Sequence, residues 1–230
     1  FADEMRLLMT HRARNSGMTI ACGVDHLIES EARYNFSSEC DGDHGKVVYS
    51  INARRGKVIN IIKFITYHSS RHAATSELAT RAERTLNRVK QEGFASLVAG
   101  QKAFMDDFWE RSDIYIEGHS SAVGRHKHET QQAMRWNLFQ ICQATARAEG
   151  VGVPAKGLTG QGYEGHYFWD AETYVLPFVV HTAPRAARNL LRFRYRLLNK
   201  ARERAKLLSH RGALFPWRTI NGEEASAYYA

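Results

Sequence analysis

The hydrophobic pattern of this 230-residue chain changes once, at about residue 73, and this change limits the possible folds more than any other feature. Residues 18–22, 46–51 and 57–68 are rich in Val, Ile, Tyr, Phe and Thr, which favour β-strands. After residue 73 the apolar residues recur at the period of a helix. A β-rich first third followed by helices predicts an α+β chain.

Turn residues divide the first third of the chain into antiparallel strands. Residues 41–45 (DGDHG) form one turn cluster. Residues 52–56 (NARRG) are predicted to close a hairpin between the strands at 46–51 and 57–68. Gly56 stands where such a loop needs a positive φ. Several antiparallel strands of this kind indicate part of a β-sandwich.

The rest of the chain is predicted to form helices joined by loops. A first helix covers residues 75–91 and begins at a Thr-Ser-Glu cap, and a second covers residues 94–109. The polar residues 119–128 are predicted to form a loop. Residues 131–149 are predicted to form the clearest helix, since their apolar residues follow one helical stripe. That stripe consists of Met134, Leu138, Ile141, Thr145 and Ala148.

Two more helices are predicted at residues 171–182 and 185–209, and Pro177 is expected to kink the former or delay its start. The last helix holds much of the excess charge in a chain with 32 basic and 24 acidic residues. Its basic side chains at Arg188, Arg192, Arg196 and Lys200 lie four residues apart, opposite an apolar face. The favoured interpretation is a solvated face of a packed helix. A contact with nucleic-acid phosphates is the alternative.

The composition argues against several classes of protein. A hydrophobic content of 43% supports a packed core, and no apolar run approaches the roughly 18 residues of a membrane span. Cys22, Cys40 and Cys142 are far apart and match neither a disulfide framework nor a zinc pattern, which predicts a reducing cytoplasm. The histidines have no metal-binding spacing, so no metal site is expected. Both ends of the chain resemble cuts through larger elements, and we expect a fragment of a longer protein.

The most distinctive segment is residues 157–170, GLTGQGYEGHYFWD. Its four glycines allow tight folding and the close approach of a ligand. It ends in three aromatic rings followed by Asp170. Rings suit the C–H face of a sugar, and a carboxylate accepts hydrogen bonds from sugar hydroxyls. The alternative is a loop in which Asp170 caps the following helix and Trp169 fills the core.

Residues 153–170 resemble the signature of glycoside hydrolase family 65, which holds the maltose, trehalose and kojibiose phosphorylases and some related hydrolases. The resemblance covers nearly the whole chain. It continues through residues 10–17, 135–140, 189–195, 211–217 and 219–224. Gln161 departs from the pattern, since an acidic residue is more usual at this position.

The resemblance implies an α+β chain with three parts. These are the C-terminal part of an N-terminal β-sandwich at residues 1–72, a helical linker at 73–129, and the first helices of an (α/α)6 barrel at 130–230. The family assembles as homodimers and needs no metal or other cofactor. Its phosphorylases cleave an α-linked glucose disaccharide such as trehalose or maltose with inversion, and inorganic phosphate is the co-substrate.

Two other functions remain open from the sequence. An inverting α,α-trehalose hydrolase on the same fold is the alternative among enzymes, and it needs a second carboxylate to activate water. A non-catalytic basic protein that binds nucleic acid is the alternative from another class, favoured by the net charge of +8. If the chain belongs to a phosphorylase, we expect it to bind neither nucleic acid nor a membrane.

The resemblance assigns binding roles to six residues. Trp169 and Asp170 are expected to line the glucose site, and Trp217 and Glu224 are expected near it. His166 and Arg135 are equally compatible with a place beside the sugar and with a structural role in a buried pair.

No residue of this chain is predicted to be the general acid. The family's catalytic glutamic acid protonates the departing oxygen, and it lies well downstream of the segment that corresponds to residues 215–217. We therefore expect it beyond residue 230, and we expect the chain alone to be inactive.

Overall fold

The computed structural model of the chain divides into two compact units, residues 1–103 and 104–230. The predicted domain boundaries after residues 72 and 129 stay predictions. The structure describes residues 2–71, 73–117, 124–145, 150–158 and 160–226, with only the backbone for 124–127. Within these residues no helix has both the length and the apolar character that crossing a bilayer requires.

The first unit contains an antiparallel sheet of four strands and a separate two-stranded hairpin. The strand order in the larger sheet is β1-β2-β3-β6, and the hairpin pairs β4 with β5. The strands are β1 (Ala2–Asp3), β2 (Arg6–Arg12), β3 (Thr19–Ser30), β4 (Tyr34–Cys40), β5 (Gly45–Ile51) and β6 (Ile59–Ser69). The three predicted strands are confirmed as parts of β3, β5 and β6.

The predicted hairpin at residues 52–56 is wrong, because that segment connects two different sheets. Strand β6 pairs with β3 along its whole length, from Ile20 opposite Ser69 to Ser30 opposite Ile59. The hairpin of the smaller sheet turns instead at residues 41–44. There the Asp41 carboxylate accepts hydrogen bonds from the backbone N–H groups of Asp43 and His44. Gly56 has the predicted positive φ, at 80°.

Helix α1 (Leu78–Glu92) packs its apolar face on the larger sheet. Leu78 and Ala82 are buried against Ala21 of β3. A Cβ atom at Gly23 would lie 2.9 Å from a methyl carbon of Leu86, so glycine is needed for this close approach. The predicted helix over residues 75–91 is confirmed, but no described side chain caps its start, which is a 3-10 turn at Thr75–Glu77.

A buried ion cluster also joins α1 to the sheet. The Asp25 side chain is 3% exposed and lies 2.7 Å from a nitrogen of Arg6 and 3.1 Å from Nζ of Lys90. Burial raises the pKa of Asp25, but hydrogen bonds from Arg6, Lys90 and the His26 N–H outweigh it and hold the pKa below its ordinary value. The ionised carboxylate therefore stabilises the contact between the helix and the sheet.

Replacing Asp25 with asparagine is expected to lower the free energy of unfolding by about 2–3 kcal/mol at pH 7, because two cations lose a buried counter-charge. The lowered pKa gives a stabilisation that is present above about pH 4 and lost as the pH falls through the folded value. Urea unfolding followed by circular dichroism at pH 7 and pH 3 measures both effects. Equal stability of the two proteins at pH 7 contradicts the assignment, and Glu77→Gln, which breaks an exposed pair with Arg81, is the control.

The second unit is mainly helical. Its helices are α2 (Phe94–Ser112, which begins in the first unit), α3 (Gly124–Thr145), α4 (Leu176–Thr182), α5 (Pro184–Arg196) and α6 (Leu198–Leu207). Two short strands, β7 (Tyr167–Phe168) and β8 (Arg218–Thr219), form a separate antiparallel pair. Antiparallel sheets together with helices confirm the predicted α+β class.

Two predictions for this unit need correction and one is confirmed. The predicted loop at 119–128 is wrong from Gly124 onward, where α3 begins, and residues 118–123 lie outside the described residues. The predicted helix at 185–209 is two helices, because Leu197 is buried against Tyr167 and Phe193 and the backbone tightens there. The α-helix near Pro177 begins only at Leu176, after a π turn at Ala171–Val175, so the predicted delay is confirmed.

The apolar stripe of α3 faces the core of the second unit as predicted. Leu138 and Cys142 pack with Phe108 of α2, and Thr145 is buried one turn further on. Residues 146–149, which include the last predicted position of the stripe, lie outside the described residues.

Candidate functional site

The glycine-rich segment at residues 157–170 is attached to the end of the chain by the two short strands. Tyr167 pairs with Thr219 and Phe168 pairs with Arg218. Both aromatic side chains are buried, and the Tyr167 hydroxyl donates a hydrogen bond to the Ile220 carbonyl. Residues 50 or more positions apart in the sequence are thereby brought side by side.

Four aromatic rings follow one another across this strand pair, and we call Tyr163, Phe168, Trp217 and Trp169 the ring cluster. Their centroids lie 5.1, 5.6 and 5.7 Å apart in that order, and each pair meets edge to face. The middle of the cluster is anchored by the buried Phe168, whereas Tyr163 is 48% and Trp169 43% exposed. The two outer rings therefore offer apolar surface to a ligand.

The indole of Trp169 is fixed in orientation, and the carboxylate of Asp170 beside it is exposed. Trp169 Nε1 donates a hydrogen bond of 2.9 Å to the Pro216 carbonyl. Asp170 is exposed and begins the π turn, and no hydrogen bond from its side chain caps that turn within the described residues. The alternative in which Trp169 fills the core and Asp170 caps a helix is therefore wrong. An exposed carboxylate remains beside a half-exposed indole.

Glu224 is a nearly buried carboxylate that holds the segment carrying Trp217. Its side chain is 7% exposed and accepts the N–H groups of Trp217 at 2.7 Å and of Arg218 at 3.0 Å. It also pairs with Arg204 of α6 at 3.2 Å. Its predicted contact with substrate stays a prediction, and its described contacts position the ring cluster.

His166 lies at the edge of the ring cluster. Its Nδ1 is 2.7 Å from the Tyr163 carbonyl and 3.3 Å from Nη2 of Arg218. Since a carbonyl only accepts and a guanidinium only donates, the short contact indicates that Nδ1 carries a proton and donates to Tyr163. His166 thus stabilises the turn that carries the Tyr163 ring, and a direct contact with sugar stays a prediction.

Arg194 of α5 packs behind the candidate site. It donates two hydrogen bonds to Glu172 of the π turn, at 2.8 and 2.6 Å. Its guanidinium carbon also lies 5.6 Å from the centroid of Tyr167 and 5.7 Å from that of Phe215. Arg194, one of the many basic residues of this helical region, is therefore mostly buried and supports the strand pair.

Arg135 lies in a different part of the second unit from the other five predicted residues. It donates two hydrogen bonds to Asp113, at 2.9 and 2.6 Å. These hydrogen bonds lower the pKa of Asp113 and raise the pKa of Arg135. It lines an open cleft of about 690 Å³ with Trp109 and Trp136, and no described contact joins it to the ring cluster.

Three residues of this region were not predicted from the sequence: Tyr163, Glu164 and Arg218. Tyr163 and Glu164 have left-handed backbone conformations with φ of 55° and 45°, and the Arg218 guanidinium pairs with Glu164. The neighbouring Gly162 and Gly165 signal a tight turn, but nothing in the sequence indicates a pair 54 residues apart. Among the described residues, no three His, Cys, Asp or Glu side chains are placed to hold a metal ion.

Two family models match this chain. The N-terminal domain of glycosyl hydrolase family 65 matches residues 2–108, and the central catalytic domain of the same family matches residues 135–230.

Curated relatives and a solved structure agree with the family models. An α,α-trehalose phosphorylase of Thermoanaerobacter brockii is 37% identical over 221 residues, which are 96% of this chain and 28% of that protein. A kojibiose phosphorylase of Escherichia coli (strain K12) is 33% identical over 182 residues, 78% of this chain and 23% of that protein. The structure of a putative kojibiose phosphorylase from human microbiome superposes with a TM-score of 0.80 at 30% identity, over 98% of this chain and 29% of that one. The chain thus spans about a quarter of the length of these relatives, and the similarities give the nucleic-acid alternative no support.

Proposed function

The chain belongs to glycosyl hydrolase family 65, and from this membership we propose that it forms the glucose-binding part of an α-glucoside phosphorylase. The observation that carries the proposal is the exposed Trp169 ring, fixed by Pro216 beside the exposed carboxylate of Asp170. A ring for the C–H face of a sugar and an acceptor for its hydroxyls are the two groups that glucose recognition needs.

The proposed reaction transfers a glucosyl group from an α-linked disaccharide to inorganic phosphate. A phosphate oxygen attacks the anomeric carbon from the face opposite the leaving sugar, so the configuration inverts and glucose 1-phosphate forms. The departing oxygen takes a proton from a glutamic acid that the family resemblance places after the region corresponding to residues 215–217. Because phosphate is already an anionic nucleophile, the proposal includes neither a general base nor a metal or organic cofactor.

In this mechanism the residues of the chain bind and orient the glucosyl unit. Asp170 accepts hydrogen bonds from sugar hydroxyls, and Trp169 forms one wall of the site. The ring of Trp217 meets that of Trp169 edge to face, with the centroids 5.7 Å apart, and so supports its position. Positioning of this kind lowers the barrier because the anomeric carbon is held in line between phosphate and the leaving oxygen.

The disaccharide is proposed to be trehalose, with kojibiose and maltose as the other substrates to test. Relatives of this chain include phosphorylases named for trehalose and for kojibiose. Each disaccharide is incubated with the complete protein, with and without phosphate. We expect glucose 1-phosphate only when phosphate is present. Release of free glucose at the same rate without phosphate would instead establish the trehalose hydrolase alternative.

Assembly as a homodimer and residence in the cytoplasm are finer parts of the proposal. The dimer rests on the family resemblance alone. The cytoplasm is supported by Cys22, Cys40 and Cys142, which are all free thiols, as a reducing compartment favours. Sedimentation of the complete protein at several concentrations tests the dimer, and a single monomeric species would contradict it.

A further inference from the structure

The turn that presents Tyr163 to the ring cluster is strained. Tyr163 and Glu164 have φ of 55° and 45°, a conformation that glycine adopts freely and that tyrosine and glutamate rarely adopt. Two such residues in succession are unusual. The residues on either side, Gly162 and Gly165, also have positive φ, which glycine adopts without strain. A strained conformation persists where surrounding contacts determine it, and such residues cluster at functional sites.

Besides His166, Arg218 supplies contacts that hold this turn. Its guanidinium pairs with the Glu164 carboxylate and lies 5.9 Å from the centroid of the Tyr163 ring. Its own N–H is held by the nearly buried Glu224, so the arginine is anchored at its backbone. The Nε of Arg218 is buried with no hydrogen-bond partner in the described part of the chain, a second cost of this arrangement.

These contacts place the Tyr163 ring at the open end of the ring cluster. The ring meets the buried Phe168 edge to face with the centroids 5.1 Å apart, and Nζ of Lys156 lies 5.7 Å from the centroid of the Tyr163 ring. Its side chain is half exposed, like that of Trp169 at the opposite end. The cluster therefore presents two accessible rings, and Arg218 determines the position of one of them.

We propose that Arg218 and Glu164 are positioning residues that lock the strained turn and hold Tyr163 as a further wall of the sugar site. This inference rests on the proposed function for the identity of the sugar. The ion pair favours the strained conformation over relaxed ones, so the ring is already in place before the sugar binds. Loss of the pair releases the turn and weakens sugar binding, while the groups that carry out the chemistry stay where they are.

Glu164→Gly is the most informative variant, because its two effects oppose each other. Glycine relieves the strain at φ of 45°, so the thermal midpoint is expected to stay the same or rise. The pair with Arg218 is lost, so KM for the disaccharide is expected to rise about tenfold while kcat changes less than twofold. A residue with a merely structural role does not combine a stable fold with a raised KM.

Arg218 is tested in parallel on the complete protein. Arg218→Gln is expected to raise KM as much as Glu164→Gly does, and the charge exchange Glu164→Arg with Arg218→Glu is expected to recover at least part of the loss. Arg81→Gln, which breaks an exposed pair on α1, is the matched control and is expected to leave KM unchanged. If Arg218→Gln does not fold, Glu164→Gly still decides.

A binding measurement separates this inference from the proposed function. Glucose binding is followed by tryptophan fluorescence, since Trp169 and Trp217 belong to the ring cluster. If the unmodified protein binds glucose but forms no glucose 1-phosphate from any disaccharide, the proposed function fails while the inference is still tested by affinity. A Glu164→Gly protein that binds glucose and disaccharide as tightly as the unmodified protein overturns the inference.

Discussion

Replacing Asp170 with alanine in the complete protein is expected to reduce kcat/KM for the disaccharide about a thousandfold while the fold is kept. The carboxylate is exposed at the start of the π turn, and no described hydrogen bond uses it to cap that turn. Its removal therefore costs the fold little. The sugar loses charge-assisted hydrogen bonds worth about 1.5–3 kcal/mol each, and two of them account for an effect of that size.

Asp170→Asn separates the charge from the shape of the side chain. The amide keeps one acceptor oxygen. We therefore expect kcat/KM to fall less than it does in the alanine variant, but by more than tenfold. Glu203→Ala removes an exposed carboxylate from α6 and serves as the control. Phosphorolysis is measured as glucose 1-phosphate release, and circular dichroism establishes that each variant is folded. Near-normal turnover of Asp170→Ala would refute the proposed role of Asp170.

The strands that could be predicted from sequence are those whose own residues favour extended backbone. The β-branched runs in β3 and β6 favour extended backbone whatever they pair with. Strand β2 (RLLMTHR) was not predicted because its apolar run is only three residues long and is flanked by polar and basic residues, yet it pairs with β3 from Leu7 to Arg12. The false hairpin at residues 52–56 has the same origin, since β6 gains more by pairing with the distant β3 than with its neighbour β5.

In the candidate site too, the residues with local sequence signals were predicted, and those that depend on distant contacts were not. Trp169 and Asp170 were predicted because they are contiguous with glycines and with each other, and the structure leaves both exposed. The break at Leu197 was not predicted, because it arises from packing against Tyr167, thirty positions earlier. Arg218 was missed for the same reason: its partner Glu164 is 54 residues away, and an arginine between turns gives no signal of its own.

Glu224 to alanine is the substitution from which we expect the largest loss of stability. The carboxylate is nearly buried and accepts N–H groups of Trp217, Arg218 and Ser226, and it pairs with Arg204. Removing it leaves buried donors without their acceptor and takes the counter-charge from beside a mostly buried guanidinium. Losses of this kind amount to about 3–5 kcal/mol.

The neighbouring residue provides the control for this prediction. Glu223 is exposed and pairs with Lys200 at 3.2 Å on the surface, so Glu223→Ala is expected to change stability little. The two variants differ by one position in sequence and by the burial of one carboxylate. Urea unfolding of the complete protein, followed by tryptophan fluorescence, measures the difference, and equal unfolding midpoints for the two variants would contradict the structural role of Glu224.

The same substitution is expected to abolish glucose binding, even if the carboxylate never touches the sugar. Glu224 holds the backbone of Trp217, Trp217 meets Trp169 edge to face, and Trp169 is fixed by the carbonyl of Pro216 in the same segment. Release of residues 216–218 therefore displaces the ring that the sugar is proposed to contact. A Glu224→Ala protein that remains folded in the absence of urea and still binds glucose at the unmodified affinity would show that the Trp169 ring does not depend on this support.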